Sequence, residues 1–188
     1  MNKKQLIVTS ILLSLMLLLA VTQVLFKDNF EQVIFMNHGI NEFKKYDFDD
    51  GKYTISLSNE WIVDKKENKG QYVSCTLNFK DKNNKLNGLV VVINTKEDLN
   101  VFAENDLNNQ QLEYYNSEIT PFQNSNNSGV LAQYETSIKN GYDFKNECYY
   151  LNLNEGKTIK ILFNINEKNY KQNVNTILNN IISSIKTS

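Results

Sequence analysis

The first thirty residues contain one long apolar stretch. Leu6–Phe26 reads LIVTSILLSLMLLLAVTQVLF and carries no charged residue, while Lys3 and Lys4 precede it. A helix of this length spans roughly 32 Å at 1.5 Å per residue, which matches a hydrocarbon core of about 30 Å. The stretch predicts a transmembrane helix with a short N-terminus at 1–5. Because lysines mark the cytoplasmic side, we expect 27–188 to lie outside the cell membrane.

A cleaved secretory signal is the competing interpretation of this stretch. Such signals have an apolar core of about 7–15 residues and end at small residues of the A-x-A kind. The nearest match is Ala20-Val21-Thr22, where threonine replaces the second small residue, and no cysteine follows closely enough for a lipoprotein site. The length of the stretch favours an uncleaved anchor. Under either interpretation the rest of the chain is exported.

Residues 27–50 are predicted to form a stem between the membrane and a domain at 51–188. Phe30, Val33 and Ile34 continue a helical spacing, and Gly39 is expected to end the helix. The single histidine, His38, lies in this stem. One histidine without a partner group is typical of a solvated loop rather than of a pH sensor or a metal ligand.

From Gly51 onward, apolar residues recur at every second position, as in half-buried strands. Between the strands, the polar run Asp64–Gly70 predicts a loop. Thr95 and Asp98 have the capping-box spacing, so a helix is expected from there to about Tyr114. The alternation predicts strands at Tyr53–Leu57, Tyr72–Phe79, Leu89–Ile93, Ile119–Phe122, Val130–Ile138, Tyr142–Leu153 and Thr158–Ile165.

Turn residues add to this order. Pro121 confines its strand to a sheet edge, because proline cannot donate to a ladder. Asn140-Gly141 predicts a type I′ hairpin and Glu155-Gly156 a second tight turn. The order is three strands, a helix, four strands and a helix, which predicts an α+β domain with a mainly antiparallel sheet of about six or seven strands.

The C-terminal segment predicts the last helix. Its apolar residues fall on one stripe at helical spacing, with asparagine and lysine on the other side. These residues are Tyr170, Val174, Ile177, Leu178, Ile181, Ile182 and Ile185. A stripe of aliphatic residues is more typical of a core-packing face than of a cofactor site, so we expect the helix to pack flat on the sheet.

Two segments resemble PsbP-like and Mog-type (Ran-binding) domains. The opening GKYTISLSNEW has a strand that leads through a turn to Trp61, although Ser58-Asn59 stand where the family often has proline. The closing NYKQNVNTILNNIISSIK is similar to the family's last helix, and the resemblance extends over about residues 46–188. It implies an α/β/α sandwich with two covering helices. It also implies a mostly non-catalytic protein, as in photosystem assembly factors, a GTPase-binding protein and bacterial envelope proteins.

Composition and charge exclude several classes of protein. The 20 basic residues are all lysine and the 21 acidic residues give a net charge of -1, so no basic field favours nucleic acid. One histidine and two distant cysteines do not form a usual zinc site. We find no triad, Walker or dinucleotide motif and assign no catalytic, cofactor-binding or metal-binding residue.

Two acidic segments fail as calcium loops. Asp47, Asp49 and Asp50 precede Gly51 in the wrong phase for the D-x-[DN]-x-[DN]-G pattern. In the second segment, with Asp81, Asn83, Lys85 and Asn87, a lysine occupies the third ligand position and would repel the ion. We interpret both segments as solvated turns.

Cysteine and tyrosine residues bear on the core. Cys75 shares a strand phase with its apolar neighbours, whereas Cys148 lies opposite the phase of Tyr149, so two buried free thiols are favoured over a disulfide. Tyr149 and Tyr150 must point to opposite faces of their strand. Core packing is the favoured role of the tyrosines, and a partner groove is the alternative if several of them are exposed together.

The expected function is that of a non-catalytic, membrane-anchored extracytoplasmic module for protein interaction or assembly in a bacterial cell envelope. Its expected partners are another envelope protein and, through 6–26, the lipid bilayer. The alternative is a module that binds a small ligand or a cell-wall fragment. An envelope hydrolase is the third hypothesis and requires two carboxylates close together in a cleft.

Overall fold

The chain forms two compact units, Met1–Gly39 and Ile40–Ser188. The computed structural model describes residues 3–37, 40–68, 70, 72–111, 113–137, 141–153, 156–169 and 174–188. His38 and the helix end expected at Gly39 lie outside these residues, as do Asn140, Glu155 and Tyr170 from the predicted turns and the predicted stripe.

The first unit consists of one helix, α1 (Lys3–Asn37). It contains the whole apolar stretch Leu6–Phe26, and large side chains within that stretch, such as Leu13 and Met16, are exposed. Within the described residues, no helix is both long enough and apolar enough to cross a membrane. The transmembrane helix predicted over 6–26 is therefore not supported by the structure and stays a prediction from the sequence.

The second unit combines strands and helices, which confirms the predicted α+β class. In chain order, its described elements are β1 (Phe43–Phe48), β2 (Tyr53–Ser58), β3 (Ile62–Glu67), β4 (Val73–Lys80), β5 (Leu86–Asn94), α2 (Leu99–Asn108), β6 (Tyr114–Gln123), β7 (Ser128–Ser137), β8 (Asp143–Leu153), β9 (Lys157–Asn166), a 3-10 turn (Glu167–Asn169), α3 (Val174–Ser183) and β10 (Lys186–Thr187).

The strands form two antiparallel sheets. The large sheet has seven strands in the order β3-β4-β5-β9-β8-β7-β6, and the small sheet has three in the order β1-β2-β10. All registered pairs are antiparallel, as the hairpin pattern predicts. β6, with Pro121, is an edge strand, which confirms the placement inferred from the proline. The sequence predicted one sheet, so the small sheet is an addition.

The central strands of the large sheet, from β4 to β7, bury side chains on both faces, because successive residues of a strand point to opposite faces. On the α2 face, Phe102 and Leu107 of α2 pack on side chains of β7 and β8 such as Ala132 and Tyr150. The opposite face, which we call the α3 face, carries the second set of buried partners: Cys75, Leu77, Val90, Val92, Tyr149, Leu151, Ile159, Ile161 and Phe163.

The α3 face is covered by α3 together with the small sheet. Within α3, Val174, Ile177, Leu178, Ile181 and Ile182 are buried, which confirms the predicted stripe over the described residues. A hydrogen bond of 2.8 Å from the Ser56 N–H of β2 to Ser184 Oγ joins the small sheet to the end of this helix. The layer that covers the α3 face thus consists of a helix and a small sheet, where the predicted sandwich has a helix alone.

The structure differs from the sequence prediction at five local points. Asp64–Gly70 was expected to be a loop, but its first part belongs to β3, where pairing with β4 stabilises a polar edge strand. The stem contains β1, whose Lys44 and Lys45 break the apolar alternation. The first helix of the domain is capped by Asp98 rather than Thr95, with its side chain accepting from the N–H groups of Asn100 and Val101.

That helix also ends earlier than expected. α2 stops at Asn108, whereas the sequence predicted a helix to about Tyr114, which is instead the first residue of β6. Buried contacts of α2 end at Leu107, so further turns have no apolar surface to cover. Finally, β10 was not expected at all, since two residues carry no periodic signal.

Candidate functional site

An open cleft lies where the β6–β7 loop, the end of α3 and β10 meet. Its volume is about 550 Å³, and its lining is Ser125, Asn126, Asn127, Asn152, Ile185, Lys186 and Thr187. We call it the asparagine cleft. Ile185 is only 3% exposed, whereas Lys186 and Thr187 are exposed. The floor of the cleft is therefore aliphatic and its rim is polar.

The loop on one side of the asparagine cleft is held by its own side chains. Asn124 Oδ1 accepts hydrogen bonds from the N–H groups of Asn126, at 2.9 Å, and Asn127, at 2.7 Å. The Asn124 N–H also donates to the Asn127 carbonyl at 2.9 Å. Asparagine favours such turns because its short side chain mimics a backbone turn. The polar run QNSNNSG therefore has a defined conformation.

The same loop satisfies the C-terminal carbonyls of α3. Asn126 Nδ2 donates to the Ser183 carbonyl at 2.6 Å, and Asn127 Nδ2 donates to the Ile182 carbonyl at 2.9 Å. The last carbonyls of a helix have no partner within the helix, so these side chains supply one. One wall of the cleft is therefore fixed before any ligand enters.

Amides, hydroxyls and one ammonium define the chemistry of this cleft. Among its lining residues only Lys186 carries a charge, and no nucleophile stands beside a base. Such a lining offers hydrogen bonds to hydroxyl or amide groups of a ligand and attracts a negative charge. The arrangement suits binding rather than bond cleavage.

Two exposed tyrosines lie at one end of the large sheet. Tyr115 is 41% exposed and Tyr142 is 56% exposed. Tyr115 OH and Ser137 Oγ lie 3.1 Å apart, and Ser137 Oγ donates to the carboxylate of Asp143, the residue after Tyr142. We call Tyr115, Ser137, Tyr142 and Asp143 the tyrosine end. Lys168 Nζ lies 5.2 Å from the centre of the Tyr142 ring.

Four of the other described tyrosines belong to the core, as predicted: Tyr53, Tyr134, Tyr149 and Tyr150. Tyr149 and Tyr150 are both buried on opposite faces, where Tyr149 packs edge-on against Phe163 and Tyr150 against Phe102. The hydroxyl of Tyr150 donates to Asp106 Oδ2 at 2.6 Å. Lys160 Nζ reaches the same oxygen at 2.5 Å. This group fastens α2 to the sheet.

The two cysteines are free and buried, which confirms the interpretation from strand phase. Cys75 lies on the α3 face and Cys148 on the α2 face of the large sheet. Burial raises the pKa of the Cys75 thiol to about 11 and that of Cys148 to about 12. Both thiols are therefore protonated at neutral pH and are poor nucleophiles.

The acidic residues before Gly51 do not gather around a common point. Asp49 is buried and makes an ion pair with Lys157, whose Nζ lies 2.5 Å from Asp49 Oδ2, while Asp47 and Asp50 are exposed. Burial raises the pKa of Asp49, but the hydrogen bond from Lys157 and the positive charge of that lysine outweigh it and leave the pKa below its usual value. Burial likewise opposes the ammonium of Lys157, yet the bond to Asp49 leaves the pKa of this lysine raised.

The second acidic segment is a turn. Asp81 Oδ1 accepts hydrogen bonds from the N–H groups of Lys85, at 2.5 Å, and Leu86, at 3.0 Å. Asp81 Oδ2 accepts from the Asn83 N–H at 3.3 Å. In the described part of the chain, no group of three or more histidine, cysteine or carboxylate side chains is placed to hold a metal ion.

The sequence did not predict the contacts between residues that lie far apart in the chain. Lys157 meets Asp49 across 108 positions, and Asn126 meets Ser183 across 57, so no local spacing announces either contact. The only available signal was compositional. A run of asparagines is typical of turns, and one adjacent to a helix end can cap it.

The Asp49–Lys157 pair predicts a pH-dependent stability. Because the pKa of Asp49 is depressed in the folded chain, its contribution is present above the usual value of 3.8 and lost as the pH falls through the lower folded value. We expect Asp49→Asn to lower the free energy of unfolding at pH 7 by about 3 kcal/mol, because it leaves a buried lysine unpaired. Urea unfolding of wild type and Asp49→Asn at pH 7 and at pH 3 measures their free energies of unfolding.

Asp50→Asn is the matched control, since Asp50 has the same left-handed backbone, at φ 55° against 53° for Asp49, but is exposed. It should unfold like wild type at pH 7. Equal stability of Asp49→Asn and Asp50→Asn at pH 7 would contradict the role given to the ion pair.

Comparison with known proteins bears on the fold. No protein-family model and no curated protein matches the chain. Among solved structures, it is similar to the solution structure of cyanobacterial PsbP (CyanoP) from Synechocystis sp. PCC 6803, with a TM-score of 0.54 and 13% identity over 78% of this chain and 92% of that chain. A crystal structure from Bacteroides thetaiotaomicron VPI-5482 gives a TM-score of 0.45 and 9% identity over 77% of this chain and 48% of that chain. The CyanoP similarity shows that the second unit has a PsbP-like fold, which confirms that part of the resemblance.

Proposed function

We propose that the chain is a non-catalytic protein-interaction module, tethered to a bacterial cell membrane by Leu6–Phe26 and exposing its PsbP-like domain outside the cell. The observation that carries the interaction role is the tyrosine end. Tyrosine is enriched at protein interfaces because it presents a large rigid ring and one hydroxyl. At the tyrosine end, the exposed Tyr115 is linked by hydrogen bonds through Ser137 to Asp143, and the exposed Tyr142 directly precedes Asp143 in the chain.

The non-catalytic part of the proposal is supported by the described polar groups. The cysteines are buried thiols of raised pKa, Asp49 and Asp106 are each engaged by a lysine, and the cleft lining lacks a carboxylate. A hydrolase of the two-carboxylate type needs an acid and a base facing one cleft. The asparagine cleft does not supply such a pair.

The membrane tether is supported by the sequence alone. Leu6–Phe26 has no charged residue and is long enough, as a helix, to match the hydrocarbon thickness. Lys3 and Lys4 favour a cytoplasmic N-terminus. A domain held in this way can meet another envelope protein at a high local concentration.

The test is capture of a partner by the full chain from its own cells. We expect wild type to stay in the membrane fraction after an alkaline wash and, after cross-linking in intact cells, to retain one envelope protein. Tyr115→Ala/Tyr142→Ala should lose at least about nine-tenths of that protein, since exposed aromatic residues are frequent hot spots. Tyr72→Ala is the control, because Tyr72 is 58% exposed but directly precedes β4 and is not part of the tyrosine end.

Two outcomes would count against the proposal. Recovery of the chain in the aqueous fraction would remove the tether. Equal retention by the double variant, Tyr72→Ala and wild type would remove the tyrosine end as the docking surface.

Binding of a cell-wall fragment is the second candidate, and the asparagine cleft favours it. A disaccharide of N-acetylglucosamine and N-acetylmuramic acid offers hydroxyls and acetamido groups for the amides and one carboxylate for Lys186. Calorimetric titration of this disaccharide into the full chain should give saturable heat, weakened at least about tenfold by Lys186→Glu. Lys45→Glu, an exposed change on β1, is the control. Absence of heat from wild type would exclude this ligand.

A further inference from the structure

The two edges of the large sheet differ in how they are closed. The β6 edge is interrupted by Pro121, which has no N–H, and by a register shift between Tyr115 and Glu118. The β3 edge has six residues in continuous register with β4 and no proline. Among the described strands, none pairs with the outer side of β3. An open edge presents a row of backbone donors and acceptors to another strand.

The register of β3 shows which backbone groups face outward. The Asn68 N–H donates to the Ser74 carbonyl at 2.8 Å, so Asn68 and Ser74 form a hydrogen-bonded pair. Such pairs alternate along an antiparallel ladder. Asp64 and Lys66 therefore bond to β4, while the N–H and C=O groups of Val63, Lys65 and Glu67 point away from the sheet.

The ladder between β4 and β5 leads to the same assignment of the outward-facing residues of β3. The Asp81 N–H donates to the Leu86 carbonyl at 3.0 Å, which assigns the odd-numbered residues of β4 to its ladder with β5. The even-numbered residues of β4 are then left for β3. The two hydrogen bonds agree, so the outward direction of Val63, Lys65 and Glu67 follows from both sides of β4.

Lysines on an edge usually discourage pairing, but those of β3 are neutralised within the strand. Lys65 Nζ lies 3.2 Å from Glu67 Oε1 and donates to the Asp47 carbonyl at 3.1 Å. Lys66 Nζ lies 3.8 Å from Asp64 Oδ2. Each lysine of β3 thus has a carboxylate partner in the same strand, and an ion pair within the strand can be replaced by one with a second strand.

We propose that two copies of this chain pair β3 against β3, antiparallel, about a two-fold axis at Lys65. This register overlaps Val63–Glu67 of each copy and satisfies the outward groups with about six N–H···O bonds. Lys65 then faces Lys65 of the second copy in a wide, hydrogen-bonded pair, and Asp64 faces Lys66 twice in close, non-hydrogen-bonded pairs.

Charge selects this register over its neighbours. A two-fold axis at Asp64 would place two carboxylates in the close pair, and an axis at Lys66 would place two ammonium groups there. Like charges directly opposite each other destabilise a sheet, whereas opposite charges stabilise it. The axis at Lys65 gives two favourable close pairs, and each Lys65 keeps Glu67 as its own counter-ion.

Cysteine cross-linking of the full chain tests this register. In Lys65→Cys, the two new thiols belong to directly opposed residues with Cα atoms about 5.5 Å apart, within the range of a disulfide. In Lys66→Cys the corresponding Cα atoms are roughly 8 Å apart, beyond that range. The natural cysteines are buried and serve as the wild-type background.

With a mild oxidant, we expect Lys65→Cys to form covalent dimers at least about tenfold faster than Lys66→Cys or wild type, as read from non-reducing gels. A monomeric Lys65→Cys would overturn the proposal. Equal rates for Lys65→Cys and Lys66→Cys would indicate random collision and would overturn it as well.

A charge exchange on the Lys65→Cys background gives the second test. Asp64→Lys should slow cross-linking several-fold, because it places like charges in both close pairs. Adding Lys66→Asp to Asp64→Lys should restore the rate, since the opposite charges return in exchanged positions. If Asp64→Lys has no effect, or the combination fails to restore the rate, the proposed register is wrong.

Discussion

The alternation of side chains between the two faces of the seven-stranded sheet is the constraint on which the rest of the structure depends. Each step along a strand changes the face, so one register decides what meets α2 and what meets α3 with the small sheet. Tyr149 and Tyr150 are neighbours in sequence, yet they pack against Phe163 and Phe102 on opposite faces. Backbone groups alternate in the same way, so every second residue of β3 directs its N–H and C=O groups away from the sheet.

The small sheet depends on the large sheet through the Asp49–Lys157 pair. Asp49 lies in the turn between β1 and β2, and Lys157 is the first residue of β9. Their contact is nearly dry, with the two side chains 4% and 14% exposed, so each charge needs the other. At the other end, Asn126 and Asn127 hold α3 against the β6–β7 loop, and this contact shapes the asparagine cleft.

Local pattern predicted the elements that bury an apolar stripe. The alternation at Tyr53, Ile55 and Leu57 predicted β2, and the aliphatic stripe around Ile181 predicted α3. Strand phase also predicted that the two cysteines are buried separately, and they lie on opposite faces of the large sheet. These predictions worked because the burial of apolar side chains is the main driving force of folding, and the spacing of those side chains along each element records which face is buried.

The sequence pattern did not predict elements whose conformation depends on pairing with distant parts of the chain. Most of β3, from Asp64 onward, was predicted to belong to a polar loop, and only its ladder with β4 makes it a strand. β10 exists because Lys186 and Thr187 meet β2. The asparagine cleft and the tyrosine end are assembled from segments far apart in sequence, so neither could be identified from spacing alone. Apart from Ile185, which belongs to the apolar stripe of the last helix, the residues of both sites are polar or aromatic and carry no periodic signal that marks a site.

The most direct test of the two-faced sheet is the redox state of its cysteines. The folded full chain is treated with a mild oxidant, then denatured without reduction, alkylated and digested for mass spectrometry. Cys75 and Cys148 lie on opposite faces, so both should carry the alkyl group. A peptide pair joined by a disulfide between Cys75 and Cys148 would contradict the assignment of the two faces, and with it the register of the sheet.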